Sequence, residues 1–155
     1  MSNLIAQLQL RDYSILFLSV EANQNIVTNV GDQVSSSLEI DFDLYRKDRE
    51  PNFKLLLDVN VNPREKDFQR AEYRIRIKLQ SFLEFAPSLP EHEIPKILVP
   101  NGLAMTYSIA RGVVGQATGT SLHNKFMLPS VNFIELIKQK IENGTKKGKR
   151  VSPKK

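Results

Sequence analysis

The chain has 155 residues, with 22 Lys and Arg against 17 Asp and Glu, two His, eight Pro and no Cys. That length gives one domain with a real core, and 41% hydrophobic with 25% charged residues is the composition of a soluble globular protein, not a disordered chain. The missing cysteines exclude disulfides, thiolate catalysis and Cys-based metal centres, and no apolar run approaches the ~18 residues of a membrane span.

The opening MSNLIAQLQLRDYS lacks a basic stretch leading into an unbroken apolar one, so no secretory signal is expected and a cytoplasmic location is. Residues 4–20 read as a first strand. Leu8 and Leu10 alternate, then ILFLSV runs almost continuously apolar, which predicts a bulge near Asp12–Ser14 and burial on both sides toward the end. The polar stretch 21–37 is long for a hairpin and predicts a crossover between strands that are not neighbours.

Three segments then alternate at the strand period of two. Residues 38–44 put Leu38, Ile40, Phe42 and Leu44 on one face, with Glu39, Asp41 and Asp43 on the other. Residues 53–61 set Phe53, Leu55, Leu57, Val59 and Val61 opposite Lys54, Leu56, Asp58 and Asn60. Residues 70–85 set Tyr73, Ile75, Ile77, Leu79, Leu83 and Phe85 opposite Arg74, Arg76, Lys78 and Gln80. Such strands suit an antiparallel sheet with one packed and one wet face. The linkers 45–52 and 62–69, charged and carrying Pro51 and Pro63, read as hairpin loops.

Pro87, Pro90, Pro95 and Pro100 argue against a continuous helix or central strand across 86–100. Leu103, Ala104, Tyr107 and Ala110 form a helical stripe over 100–111, with Gly112 placed to end it before the loop VVGQATGTSLHNK. The last helix is expected to start at Asn132 as N-cap, with Glu135 three residues on and an apolar face of Phe133, Leu136, Ile137 and Ile141. Four strands followed by two helices predict an α+β fold with both helices on one sheet face.

Charge is unevenly placed. Residues 144–155, GTKKGKRVSPKK, hold six cations and no anion, leaving 16 cations against 17 anions over 1–143, a net of −1. The expected division is therefore a near-neutral folded domain, 1–143, and a disordered basic tail, 144–155. A tail of this kind engages acidic partners or lipid headgroups, or is simply a solvated end. A nucleic-acid-binding module is the competing class, resting on the tail and on Arg74, Arg76 and Lys78, but no aromatic platforms interleave with these cations on the strand pattern.

Catalysis finds little support. His92 and His123 are the two histidines, and Glu91-His92-Glu93 lies in a Pro-bounded stretch without the helical spacing that aims two metal ligands together. No nucleophile elbow is present, and Gly112, Gly115 and Gly119 bracket no lysine-bearing phosphate loop. Neither an enzyme, a metal nor a cofactor is expected.

Residues 97–112, ILVPNGLAMTYSIARG, followed by LPSVNF at 128–133 and an amphipathic helix, resemble the C-terminal half of the SecB export-chaperone family. Upstream, Arg11-Asp12-Tyr13-Ser14 resembles the family's Lys-Asp-x-Ser in the first strand, and LEIDFD at 38–43 resembles its alternating second strand. The resemblance implies a four-stranded antiparallel sheet with a crossover between strands one and two, a dimer of dimers, and an ATP-independent holdase for unfolded polypeptides in protein export. It implies client binding at Leu38, Ile40 and Phe42, and at Met127, Leu128, Leu136 and Ile137, with plain core packing as the alternative for each. It also implies docking to the SecA motor through an acidic sheet surface, onto which Asp12 maps.

Two features depart from the family pattern. The Gly-rich segment between Arg111-Gly112 and LPSVNF is longer than usual, and Arg74, Arg76 and Lys78 put cations where the docking surface is acidic. The second departure favours a dedicated chaperone of one labile client, such as the antitoxin of a toxin–antitoxin system, as the alternative to general export.

Overall fold

The computed structural model describes residues 5–26, 36–46 and 50–149, with side chains as far as residue 144. Strands β1 (Leu8–Ala22), β2 (Leu38–Arg46), β3 (Asn52–Val61) and β4 (Tyr73–Phe85) form one antiparallel sheet in the order β1-β4-β3-β2. Strands consecutive in sequence, β1 and β2, thus stand at opposite edges, as the length of 21–37 predicts; residues 27–35 of that connection lie outside the described residues. Alternation does the rest. Leu55, Leu57, Val59 and Val61 of β3 and Tyr73, Ile75, Ile77 and Leu79 of β4 all fall on the packed face and are buried.

β1 carries two bulges, between Leu10 and Asp12 and between Ile15 and Phe17. The first is where the sequence places it. The second sends Phe17 to the wet face, opposite Lys78, while Ile15 and Leu18 stay opposite Leu79 and Ile77. The expected burial of this stretch on both sides is not found: Ile15, Leu16, Phe17 and Leu18 are exposed. The reason is position, since a strand at the sheet edge has a neighbour on one side only.

The β3–β4 linker is not a plain hairpin loop but holds a short helix, α1 (Glu65–Phe68). Asn62 starts it in the left-handed region at φ 50°, a conformation Asn tolerates better than most residues. Its buried amide is engaged at both ends: Nδ2 donates to the Tyr73 carbonyl at 2.8 Å, and Oδ1 accepts from the Ser37 amide at 2.9 Å. One side chain therefore pins the ends of three strands.

Helix α2 (Ile94–Thr118) is 25 residues long, far beyond the predicted 100–111. Pro95 sits in its first turn, where a missing N–H costs nothing. Pro100 lies inside and removes a hydrogen bond, but Ile94 and Leu98 before it and Leu103 after it are buried in the sheet's core, and that burial holds the helix together across the break. Gly112 does not end the helix because Val114 and Thr118 beyond it are also buried. The long Gly-rich segment after Arg111 is thus mostly helix. Helix α3 (Phe133–Lys149) starts as predicted, with the Glu135 amide donating to Asn132 Oδ1 at 3.2 Å. It takes in residues 144–149, which the sequence assigns to the tail; lysines suit the negative end of a helix dipole. Residues 150–155 lie outside the described residues.

Candidate functional site

The packed face of β2 is only partly covered, and α3 lies along it. The segment leading into α3 is fixed first. Tyr107 Oη donates to the Pro129 carbonyl at 2.6 Å, Arg111 Nε to the Leu128 carbonyl at 2.9 Å, and the Phe126 amide to Thr118 Oγ1 at 2.9 Å. The rings of Tyr107 and Phe133 then meet edge to face, centroids 5.5 Å apart. So anchored to α2, α3 leaves a groove against β2 made of two adjoining hollows. One, of about 450 Å³, lies among Leu38, Ile40, Val131, Leu136 and Gln139; the other, of about 280 Å³, among Ile40, Phe42, Leu136, Lys140 and Asn143. Ile40, Leu136 and Gln139 line both, which makes the groove continuous.

One cation dominates the electrostatics of the groove. Lys140 Nζ stands 5.0 Å above the Phe42 ring, 2.7 Å from Asp41 Oδ1 and 3.5 Å from Asp43 Oδ1. Burial alone would lower its pKa, but the Asp41 hydrogen bond and the two carboxylate charges outweigh burial and hold it above the ordinary lysine value. Asp41 Oδ1 also accepts the Phe42 amide at 2.9 Å.

Of the residues singled out from sequence, Leu38, Ile40, Phe42 and Leu136 come together on this groove, Phe42 as its floor beneath Lys140. Leu128 is wholly buried in the core. Met127 is exposed, its sulfur packed close over Gly115, and Ile137 is half-buried against the core; neither lines the groove. Sequence reasoning missed Val131, Gln139 and Lys140. The last had a signal, since it follows Leu136 by four residues and shares its helix face.

On the opposite, wet face, Asp12 lies across from Phe82, its carboxylate accepting the Tyr13 amide at 2.8 Å. Two of the three β4 cations, Arg74 and Arg76, are paired within the fold. Arg74 pairs with Glu65 and Glu21, and Arg76 with Asp58 at 2.9 Å. Glu91 is paired with Arg46. Among the described residues no His, Asp and Glu cluster has the form of a metal site, and no helix is long and apolar enough to cross a membrane.

No protein-family model matches the sequence, and no curated protein is significantly similar to it. Solved structures do match. A SecB-like chaperone of Mycobacterium tuberculosis, solved in complex with a ChAD peptide from an antitoxin, superposes with a TM-score of 0.60 over 81% of this chain and 91% of that one, at 13% identity. A protein of unknown function from Streptococcus agalactiae gives a TM-score of 0.48 over 79% of this chain and 97% of that one, at 14% identity. The edge-to-edge strand order, the helices on one face and the superposition on the first of these structures agree, and the chain has the SecB-like fold.

Proposed function

We propose that the protein is a non-enzymatic, ATP-independent chaperone that holds unfolded polypeptide in the groove between β2 and α3. The observation that carries this reading is the groove itself: Leu38, Ile40 and Leu136 offer a continuous apolar strip at a sheet edge, on a SecB-like fold. Such a strip contacts side chains of many sequences, and a long client gains from several weak sites at once. The exposed β1 edge with Ile15, Leu16 and Phe17 supports assembly into a homo-oligomer, a dimer of dimers by resemblance. The test is suppression of aggregation of a chemically denatured protein on dilution. The wild type is expected to suppress it and Ile40→Ser/Leu136→Ser, still folded by circular dichroism at the assay temperature, to fail; a wild type without effect overturns the reading.

A second reading, one dedicated client such as an antitoxin in place of general export, is favoured by two observations. The neighbour of the same fold was solved with an antitoxin peptide, and β4 carries Arg74, Arg76 and Lys78, the two arginines paired with neighbouring carboxylates, where the family's docking strip is acidic. Capture from the host separates them: many preproteins and the SecA motor for export, one tight client without the motor for the dedicated role. The nucleic-acid alternative draws no support from the wet face, where Arg74 and Arg76 are already matched by Glu21, Glu65 and Asp58.

A further inference from the structure

We propose that Lys140 is a latch on the groove, which must leave Asp41 and Asp43 before an extended client can seat along β2, and so sets the affinity of the site. The proposal rests on the client-binding reading above and adds its control. Asp41 and Asp43 stand opposite Asp58 and Leu56 in the sheet register, on the wet face, whereas α3 lies on the packed face. To reach them the Lys140 side chain crosses the Phe42 ring and rounds the free edge of β2. It therefore bars the groove where a client would enter.

The same contact covers the strand's hydrogen-bonding edge. Asp41 Oδ1 accepts both the Phe42 amide and Lys140 Nζ, so a chain adding alongside β2 has to take over that amide and displace the pair. What holds the latch is the charge around it. Asp41 faces Asp58 directly across the sheet, Arg76 answers Asp58, and Lys140 answers Asp41 and Asp43. With the Lys140 side chain 37% exposed, such a pair shifts an equilibrium only by a factor of about 2 to 5, weak enough for a client to open.

A latch and a mere fastener of α3 predict opposite signs. The experiment titrates a fluorescein-labelled, uncharged nine-residue peptide of alternating leucine and threonine, matching the length of β2, against the full chain by anisotropy. Lys140→Gln is expected to bind about threefold tighter than wild type in low salt. Near 0.5 M NaCl, roughly, the wild type should close most of that gap, because screening loosens the ion pair. Asp41→Asn/Asp43→Asn, which keeps the lysine stem over Phe42, should match Lys140→Gln and decides the matter if that variant is less stable. Equal or weaker peptide binding by both variants overturns the latch while leaving the groove as the client site. Binding of the peptide to no form of the protein overturns the client-binding reading and the latch with it.

Discussion

Ser81 of β4 and Thr106 of α2, both fully buried, face each other with their hydroxyl oxygens 2.7 Å apart. Thr106 Oγ1 also donates to the Gly102 carbonyl at 2.7 Å, so its single hydrogen is spent and Ser81 is the donor between them. This is the polar rivet between helix and sheet. Next to it Gly102 lets the two elements close, since a Cβ there would stand 2.9 Å from Leu83 Cδ1.

Removing one half of the rivet strands the other. Thr106→Val is expected to cost about 1–3 kcal/mol, the desolvation of an unpaired Ser81 hydroxyl. Adding Ser81→Ala should restore a large part of that loss, since no buried donor is then left over. Urea unfolding of the two single variants and the double variant measures the coupling; additive losses would falsify the pairing.

Two of the three glycines within α2, Gly102 and Gly112, should respond oppositely. Nothing lies within 4 Å of a Cβ at Gly112, which is exposed, so Gly112→Ala should stabilise by about 0.5–1 kcal/mol through helix propensity alone. Gly102→Val, driven into Leu83, should lower stability by about 1–3 kcal/mol. Thermal melts of both variants check the contrast; a stable Gly102→Val would mean the helix sits farther from β4 than described.

Alkaline pH offers a separate handle. Burial pushes the Tyr107 phenol from 10.0 up to about 12, with a small opposing pull from Arg111. A pKa raised by folding means the folded state keeps its proton longer than the unfolded chain does. Stability present below pH 10 is then lost as pH rises from about 10 through about 12. Lys140 adds a loss of the same sign, its pKa also being raised. Melting temperatures across that window should fall more steeply for the wild type than for Tyr107→Phe; parallel curves would contradict the assignment.

Core and groove should separate cleanly by substitution. Leu128→Ala is expected to cost about 2–5 kcal/mol and to leave the binding of correctly folded protein unchanged. Leu38→Ser, on a half-buried position, should cost less than about 1.5 kcal/mol and weaken holdase activity. Chemical denaturation beside aggregation-suppression assays tests both. The opposite pattern would move the site into the core region around Leu128.

How far these features were legible differs from residue to residue. In 53–61 and 70–85 alternation settled which side chains are core, because a period of two leaves one face for water and one for packing. Asn132 announced the start of α3, because a cap is a local interaction within three residues. The end of α2 was illegible for the converse reason. Pro100 and Gly112 are local breakers, yet burial of Leu98, Leu103 and Val114 against distant strands overrides them.

Sequence by itself thus determined the four strands, the inner faces of β2, β3 and β4, the crossover and the near-neutral body, consequences of short-range periodicity, connection length and charge counting. Only the tertiary structure decided that Leu128 is core and Ile40 is groove, since both are apolar at periodic positions and differ only in what packs over them. It also decided the place of Lys140. A charge at one helix position has no fixed partner until a strand 99 residues away brings Asp41 to within 2.7 Å.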